Sequence, residues 1–118
     1  MDNLVDIHER CSDMEDLIKK IIQFRDERDW RKFHTPENLA KSISIEAAEL
    51  LENFQWDSSY SEAKVSEELA DVFIYCILMA ESLDINLVEK AYDKLAKNML
   101  KYPVDKSKGN SKKYTEFK

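Results

Sequence analysis

The chain has 118 residues, of which only one is Gly and two are Pro. Strand-rich folds need both residue types for their turns, so this composition argues against a β-sandwich or barrel and against a glycine-rich phosphate loop. Charged residues make up 36% of the chain and apolar residues 43%, a mixture typical of amphipathic helices. We therefore predict an all-α fold, and the length predicts a single domain over residues 1–118.

The formal net charge of −6 indicates which partners suit the chain. An acidic protein is a poor binder of a nucleic acid polymer, and a phosphate-bearing ligand would need a bridging cation. The N-terminal residues lack a signal-peptide pattern, and the longest apolar run, Val72 to Ala80, is well short of the ~20 residues that span a bilayer. We therefore expect a cytoplasmic protein without a membrane or nucleic acid partner.

Hydrophobic spacing and capping residues predict two helices in the first half of the chain. The first extends from about Ser12 to Arg28, where apolar residues recur at intervals of three and four. Thr35 and Pro36 have the residue types of an N-cap and a first helical position, so a second helix is predicted from Pro36 to about Phe54. The residues predicted to face inward on this second helix are Leu39, Ile43, Ala47, Leu50, Leu51 and Phe54.

Two more helices are predicted after the turn-like residues 57–61. The third begins near Ser61 or Glu62 and continues to about Leu83, and its second half is apolar on every side. Such a helix must be covered all round, so we expect a second subunit, in a homodimer or homotetramer. The fourth extends from about Leu87 to Lys101, and the residues 104–118 that follow Pro103 are predicted to form a flexible tail. The predicted architecture is a four-helix bundle.

Four acidic residues stand out by their spacing. Glu46 and Glu49 lie three residues apart on the second predicted helix, and Glu68 and Asp71 lie three apart on the third. Four converging carboxylates are stable when a divalent cation lies between them, and Mg²⁺ suits such oxygen ligands. The alternative is a solvated acidic face, which spacing alone does not exclude. A di-iron bundle fits less well, because neither histidine follows a glutamate by three residues on these helices.

The paired carboxylate motifs, in a short all-α chain, resemble those of the MazG-like nucleotide pyrophosphohydrolases, and more closely those of the dCTP pyrophosphatase branch. The resemblance covers roughly residues 24–116, nearly the whole chain. The motifs that carry it are Glu27-Arg28-Asp29-Trp30, Phe33-His34, Pro36 with Asn38-Leu39, Phe54-Gln55-Trp56, Glu67-Glu68-Leu69-Ala70-Asp71-Val72 with Ile74-Tyr75, Asn98 before Tyr102-Pro103, and Ser111-Lys112-Lys113-Tyr114-Thr115-Glu116.

The resemblance implies roles for individual residues. Glu46, Glu49, Glu68 and Asp71 match positions that hold Mg²⁺ in the family, and Glu46 is chosen as the group that orients or deprotonates water. Two tryptophans match aromatic residues of the nucleobase pocket, one tyrosine matches a ring near the sugar, and residues of the last helix and tail match groups that reach the nucleotide. On residue type alone these aromatic residues fit a packed core at least as well. The substrate-binding residues implied are Trp30, His34, Trp56, Tyr75, Lys94, Asn98, Tyr102, Lys113 and Tyr114.

The function that the resemblance implies is Mg²⁺-dependent hydrolysis of dCTP or a modified dCTP to the monophosphate and pyrophosphate. A related activity on dUTP or another non-standard nucleotide is one alternative, and a non-enzymatic helical oligomerisation module is another. The sequence departs from the family at Ile45 and Ala48, where glycine is frequent, and at Ile21, where some members carry a histidine. The loop after Trp56 is also shorter than in animal members. These departures leave the carboxylates intact and the base preference open.

Overall fold

The computed structural model describes residues 4–56 and 59–116, and the side chains of 13–56 and 59–116. The described residues contain helices and turns and no strand, which confirms the predicted all-α class. The predicted turn at 57–61 lies partly outside the described residues. The chain groups into two compact units, Met1–Asp84 and Ile85–Lys118. Its interpretation as one domain stays a prediction.

The N-terminal unit contains three long helices: α1 (Leu4–Glu27), α2 (Pro36–Glu52) and α3 (Glu62–Ser82). A short 3-10 turn, Arg31–Phe33, lies between α1 and α2. The predicted start of α1 near Ser12 is wrong, because no Gly or Pro interrupts the preceding residues and the helix continues back to Leu4.

Capping chemistry explains both ends of α2. The Thr35 hydroxyl accepts a hydrogen bond from the backbone N–H of Asn38 at 3.2 Å, and Pro36 takes the first helical position, so the predicted start is confirmed. The helix ends at Glu52, not at Phe54. The N–H of Asn53 bonds the carbonyl of Leu50, a tighter pattern that closes the last turn.

The core of this unit is small. It consists of Ile21 of α1, Leu39 of α2, and Ile77 and Leu78 of α3, and Leu39 is only 1% exposed. The strongest packing is between α2 and α3, and α1 also contacts α3. The predicted burial of Leu39 is confirmed.

Other predicted inward-facing residues remain uncovered in the single chain. Leu51 is 68% exposed, and Phe54 is also exposed, because the core packs against only one side of the α2–α3 pair. Leu69 and Phe73 of α3 are exposed as well. The second subunit expected to cover such surface stays a prediction.

The C-terminal unit contains α4 (Leu87–Lys101), a single helical turn α5 (Val104–Ser107) and a 3-10 turn at Tyr114–Glu116. The bounds of α4 agree with the prediction, and its N-cap is Asn86, whose side chain accepts a hydrogen bond from the N–H of Glu89. The residues predicted as a tail therefore include two short helical turns. Over the described part of the chain, no helix combines the length and the apolarity that crossing a membrane requires.

Candidate active site

Packing of α2 against α3 brings together carboxylates that are distant in sequence. Glu46 lies on α2, and Glu68 and Asp71 lie three residues apart on α3, so the latter two share a helix face. One carboxylate oxygen from each of these three residues lies within 4.8 Å of the other two. We use the name carboxylate cluster for these three residues together with Glu49.

Glu49 completes the carboxylate cluster from the next turn of α2. The carboxyl group of Glu49 acts on those of Glu46 and Glu68 through its charge and through hydrogen bonding, and both effects raise their pKa values. Burial, followed by the hydrogen bond and the charges of the neighbouring carboxylates, raises the pKa of Glu46 to about 7. Burial and the charges of Glu49 and Asp71 also raise the pKa of Glu68. All four acidic residues singled out in the sequence thus meet in one place.

The carboxylate cluster fits a divalent cation. Oε2 of Glu46 is buried and has no hydrogen-bond partner among the described residues. Such an oxygen is costly in an apolar environment, and clustered negative charges add to the cost. A cation would satisfy this oxygen and reduce the repulsion within the cluster, and carboxylate oxygens are ligands that Mg²⁺ prefers.

A pocket of about 370 Å³ adjoins the carboxylate cluster in the N-terminal unit. Asp71 belongs to the cluster and also lines the pocket, so the two features are continuous. The pocket combines three aromatic rings, three aliphatic side chains and several polar groups, as a small-molecule site does. Its lining residues are Lys20, Ile21, Phe24, Arg25, Trp30, His34, Asp71, Ile74, Tyr75 and Leu78.

The end of α1 positions Trp30 in the pocket wall. The N–H of Asp29 bonds the carbonyl of Asp26 and the N–H of Trp30 bonds that of Arg25, both at 3.1 Å, which is the Schellman pattern of a helix end. Asp29 supplies the left-handed conformation that this pattern requires, with φ of 53°. The Trp30 ring packs edge-on against Phe24, with 5.6 Å between centroids, and is 43% exposed. A stacking face is therefore available.

Arg25 and His34 place polar groups in the same pocket. Arg25 is only 3% exposed, and its Nε donates a hydrogen bond to Oδ1 of Asp26 at 2.9 Å. Nδ1 of His34 is buried and has no hydrogen-bond partner among the described residues. Burial, with the nearby charge of Arg25, lowers the pKa of His34. Its imidazole is therefore neutral at neutral pH.

Sequence reasoning singled out His34 but missed Arg25. A signal for Arg25 is present, because it follows Ile18 and Ile21 at seven and four residues and so continues the apolar stripe of α1. A charged residue in the phase of a buried stripe is uncommon and indicates a paired or functional group.

The remaining predicted substrate-binding residues are distributed between the two units. Tyr75 is half-buried and lines the pocket, whereas Trp56 is 87% exposed and is not among the lining residues. In the C-terminal unit, the rings of Tyr102 and Tyr114 lie 6.1 Å apart, centroid to centroid. The assignment of this unit's residues to the substrate stays a prediction, and they are Lys94, Asn98, Tyr102, Lys113 and Tyr114.

Comparison with known proteins identifies relatives that match most of this chain. The dCTP pyrophosphatase 1 of Mus musculus is 35% identical over 114 residues, which cover 88% of this chain and 67% of the mouse protein. The Homo sapiens protein of the same name is 34% identical, with the same coverage. The crystal structure of a pyrophosphatase from Archaeoglobus fulgidus DSM 4304 superposes with a TM-score of 0.72 at 46% identity, covering 76% of this chain and 92% of that one.

Fold and site together define an all-helical protein in which clustered carboxylates border an aromatic-lined pocket. The model of the MazG-like family matches residues 41–117, which include all four carboxylates of the cluster. The chain belongs to the MazG-like family, and the membership inferred from the sequence motifs is confirmed.

Proposed function

We propose that the chain is a Mg²⁺-dependent nucleoside triphosphate pyrophosphohydrolase whose substrate is dCTP or a modified dCTP. The pyrophosphohydrolase class follows from family membership and from relatives named dCTP pyrophosphatase. The observation that carries the site is the position of Asp71, which joins the carboxylate cluster to the pocket. A nucleotide needs these two environments side by side, one for its phosphates and one for its base.

Glu46, Glu49, Glu68 and Asp71 would hold the cation. The buried, unpartnered Oε2 of Glu46 supports this assignment. When bound, Mg²⁺ neutralises the triphosphate and polarises water. The acidic chain can then bind an acidic substrate, because the cation offsets part of the repulsion between the carboxylate cluster and the triphosphate.

In the proposed reaction, water attacks the α-phosphorus of the nucleotide. A new P–O bond forms to the water oxygen, the bond between the α-phosphorus and the bridging oxygen breaks, and pyrophosphate leaves with the bridging oxygen. Glu46 accepts the proton that the water loses.

The pocket would hold the base and the sugar. Trp30 offers an exposed ring at the pocket wall, and stacking on one base contributes about 1–3 kcal/mol to binding. Tyr75 lies one turn after Asp71 on α3 and lines the pocket. The family resemblance assigns it to the sugar, where its ring would exclude a 2′-hydroxyl. Trp56 is assigned to the base by the family resemblance alone.

The oligomer belongs to the same proposal. Leu51, Leu69 and Phe73 are exposed apolar side chains on the tightly packed α2–α3 pair. A second copy of the chain would cover them, giving a homodimer or homotetramer.

Release of pyrophosphate from a panel of common deoxynucleotides and ribonucleotides, with and without Mg²⁺, tests the activity. Glu49→Gln and Asp71→Asn should each abolish turnover and Mg²⁺-dependent thermal stabilisation while leaving the helix content unchanged. Glu67→Gln is the matched control, since Glu67 is an exposed acid next to the cluster residue Glu68. Near wild-type turnover in both cluster variants would contradict the metal assignment. No pyrophosphate from any nucleotide would favour a non-enzymatic helical oligomer.

A further inference from the structure

The pocket contains a buried cation whose presence needs an explanation. Arginine is almost never fully buried unless it is paired, and the carboxylate partner of Arg25, Asp26, pairs with it at Nε and is itself half exposed. Arg25 lines the pocket together with Trp30 and His34. A ligand in the pocket that accepts hydrogen bonds would offset part of the cost of burying this side chain.

The chemistry of a guanidinium restricts what that ligand presents. Arginine donates through a planar fork of N–H groups, accepts no hydrogen bond and is not deprotonated in proteins. A planar ligand with two adjacent acceptors matches this fork. Cytosine presents such a pair, O2 and N3, whereas uracil and thymine carry an N–H at N3. A donor facing a donor leaves both groups unpaired in the pocket.

His34 offers a group that complements the next position on the same edge of the base. Its buried Nδ1 has no partner among the described residues, and the lowered pKa keeps the ring neutral, with one donor and one acceptor nitrogen. As an acceptor, Nδ1 suits the 4-amino group of cytosine. A neutral imidazole can change tautomer and donate to the O4 of uracil instead, so His34 accepts either base. Arg25 has only donors, so Arg25 is the group that distinguishes cytosine from uracil.

We infer that Arg25 is the residue that selects cytosine, by donating to the O2 and N3 acceptors of a base stacked on Trp30. This inference rests on the proposed nucleotide function and deepens it, since stacking alone accepts any base.

The test is competition between dCTP and dUTP in one reaction, which gives the ratio of their kcat/KM values independently of the fraction of folded enzyme. Wild type should prefer dCTP by about tenfold or more, as expected when one polar group is left unpaired. Arg25→Gln should reduce that ratio by about tenfold, because the amide oxygen can accept from the N3–H of uracil. Arg25→Lys keeps a donor but loses the planar fork, so it should retain a preference for dCTP that is smaller than that of wild type.

Arg28→Gln is the matched control. Arg28 lies on the same stretch of α1 but places its guanidinium over the Phe24 ring at 3.6 Å and is not among the pocket residues. Its variant should keep the wild-type ratio. An unchanged ratio in Arg25→Gln overturns the inference, and this includes the case of an Arg25 that binds phosphate, where both substrates would lose equally.

Binding of the nucleosides deoxycytidine and deoxyuridine, followed by tryptophan fluorescence without Mg²⁺, separates this inference from the proposed function. Deoxycytidine should bind wild type more tightly than deoxyuridine, and Arg25→Gln should remove the difference. If wild type releases no pyrophosphate from any nucleotide, the proposed function fails while the nucleoside titration still decides the role of Arg25. Equal binding of both nucleosides to wild type overturns the inference.

Discussion

Neutralising Glu46 should have opposite effects on stability and on metal binding. In the metal-free protein, Glu46 is a half-buried carboxylate surrounded by the like charges of Glu49, Glu68 and Asp71. Glu46→Gln removes one of these charges and should stabilise the fold near pH 8. The same substitution removes the buried Oε2 that fits a cation, so the thermal stabilisation that Mg²⁺ gives to wild type should shrink or disappear.

The structure supplies the size and the sign of the first effect. The pKa of Glu46 is about 7 in the folded chain against an ordinary 4.5, which at about 1.4 kcal/mol per unit is an upper bound of roughly 3.5 kcal/mol. Solvent screening of a partly exposed group reduces this to about 1 kcal/mol, or about 4 °C in Tm for a chain of this length. Because the pKa of Glu46 is raised in the folded chain, protonation of Glu46 adds to the free energy of unfolding. This contribution is fully present below about pH 4.5 and is lost as the pH rises through about 7.

Thermal melts in a chelating buffer at about pH 5 and about pH 8 measure this difference. Wild type should lose stability between the two values, and Glu46→Gln should lose less, so the variant is more stable at the higher pH. Glu67→Gln removes an exposed charge outside the cluster and serves as the control. The electrostatic reasoning would be refuted if Glu46→Gln were less stable than wild type near pH 8. It would also be refuted if the difference in Tm between variant and wild type were the same at both pH values.

Two further predictions concern the pocket and the oligomer. Trp30→Ala and Trp56→Ala should each raise KM for dCTP about tenfold or more with little change in kcat, since the base is remote from the broken bond. If KM is unaltered in both variants and dCTP does not change the tryptophan fluorescence, the two rings serve packing and not base binding. Light scattering at micromolar concentration should give a dimer or tetramer, and Leu69→Glu should dissociate it, because Leu69 is exposed on α3; a stable, well-folded wild-type monomer would contradict the proposed interface.

Local chemistry made much of the fold predictable. The hydroxyl of Thr35 and the fixed backbone angle of Pro36 determine where α2 begins, and no distant contact is needed to find it. The start of α1 was not predictable in the same way, because no breaker residue separates Ser12 from Leu4. The exposure of Leu51 escaped prediction for another reason. Its apolar character indicates burial without indicating whether its own chain or another one covers it.

The candidate site was predictable where its residues repeat along one helix. The spacing of Glu68 and Asp71 places both on one face of α3, and that spacing is visible in the sequence. Arg25 escaped because its importance comes from burial, and burial depends on how α1 packs against α3. Trp30 depends on a helix end in which Asp29 takes a conformation that is more usual for Gly.

The face of α3 that packs in this unit connects stability and chemistry. Glu68 and Asp71 of the carboxylate cluster, Tyr75 of the pocket and Leu78 of the core follow one another at helical intervals of three and four residues. A rotation of α3 that exposed Leu78 would therefore also move Asp71 away from Glu46 and Tyr75 out of the pocket wall. Burial of a few aliphatic side chains thus determines the geometry of the carboxylates, so core substitutions at Leu78 should weaken cation binding although Leu78 is not among the clustered carboxylates.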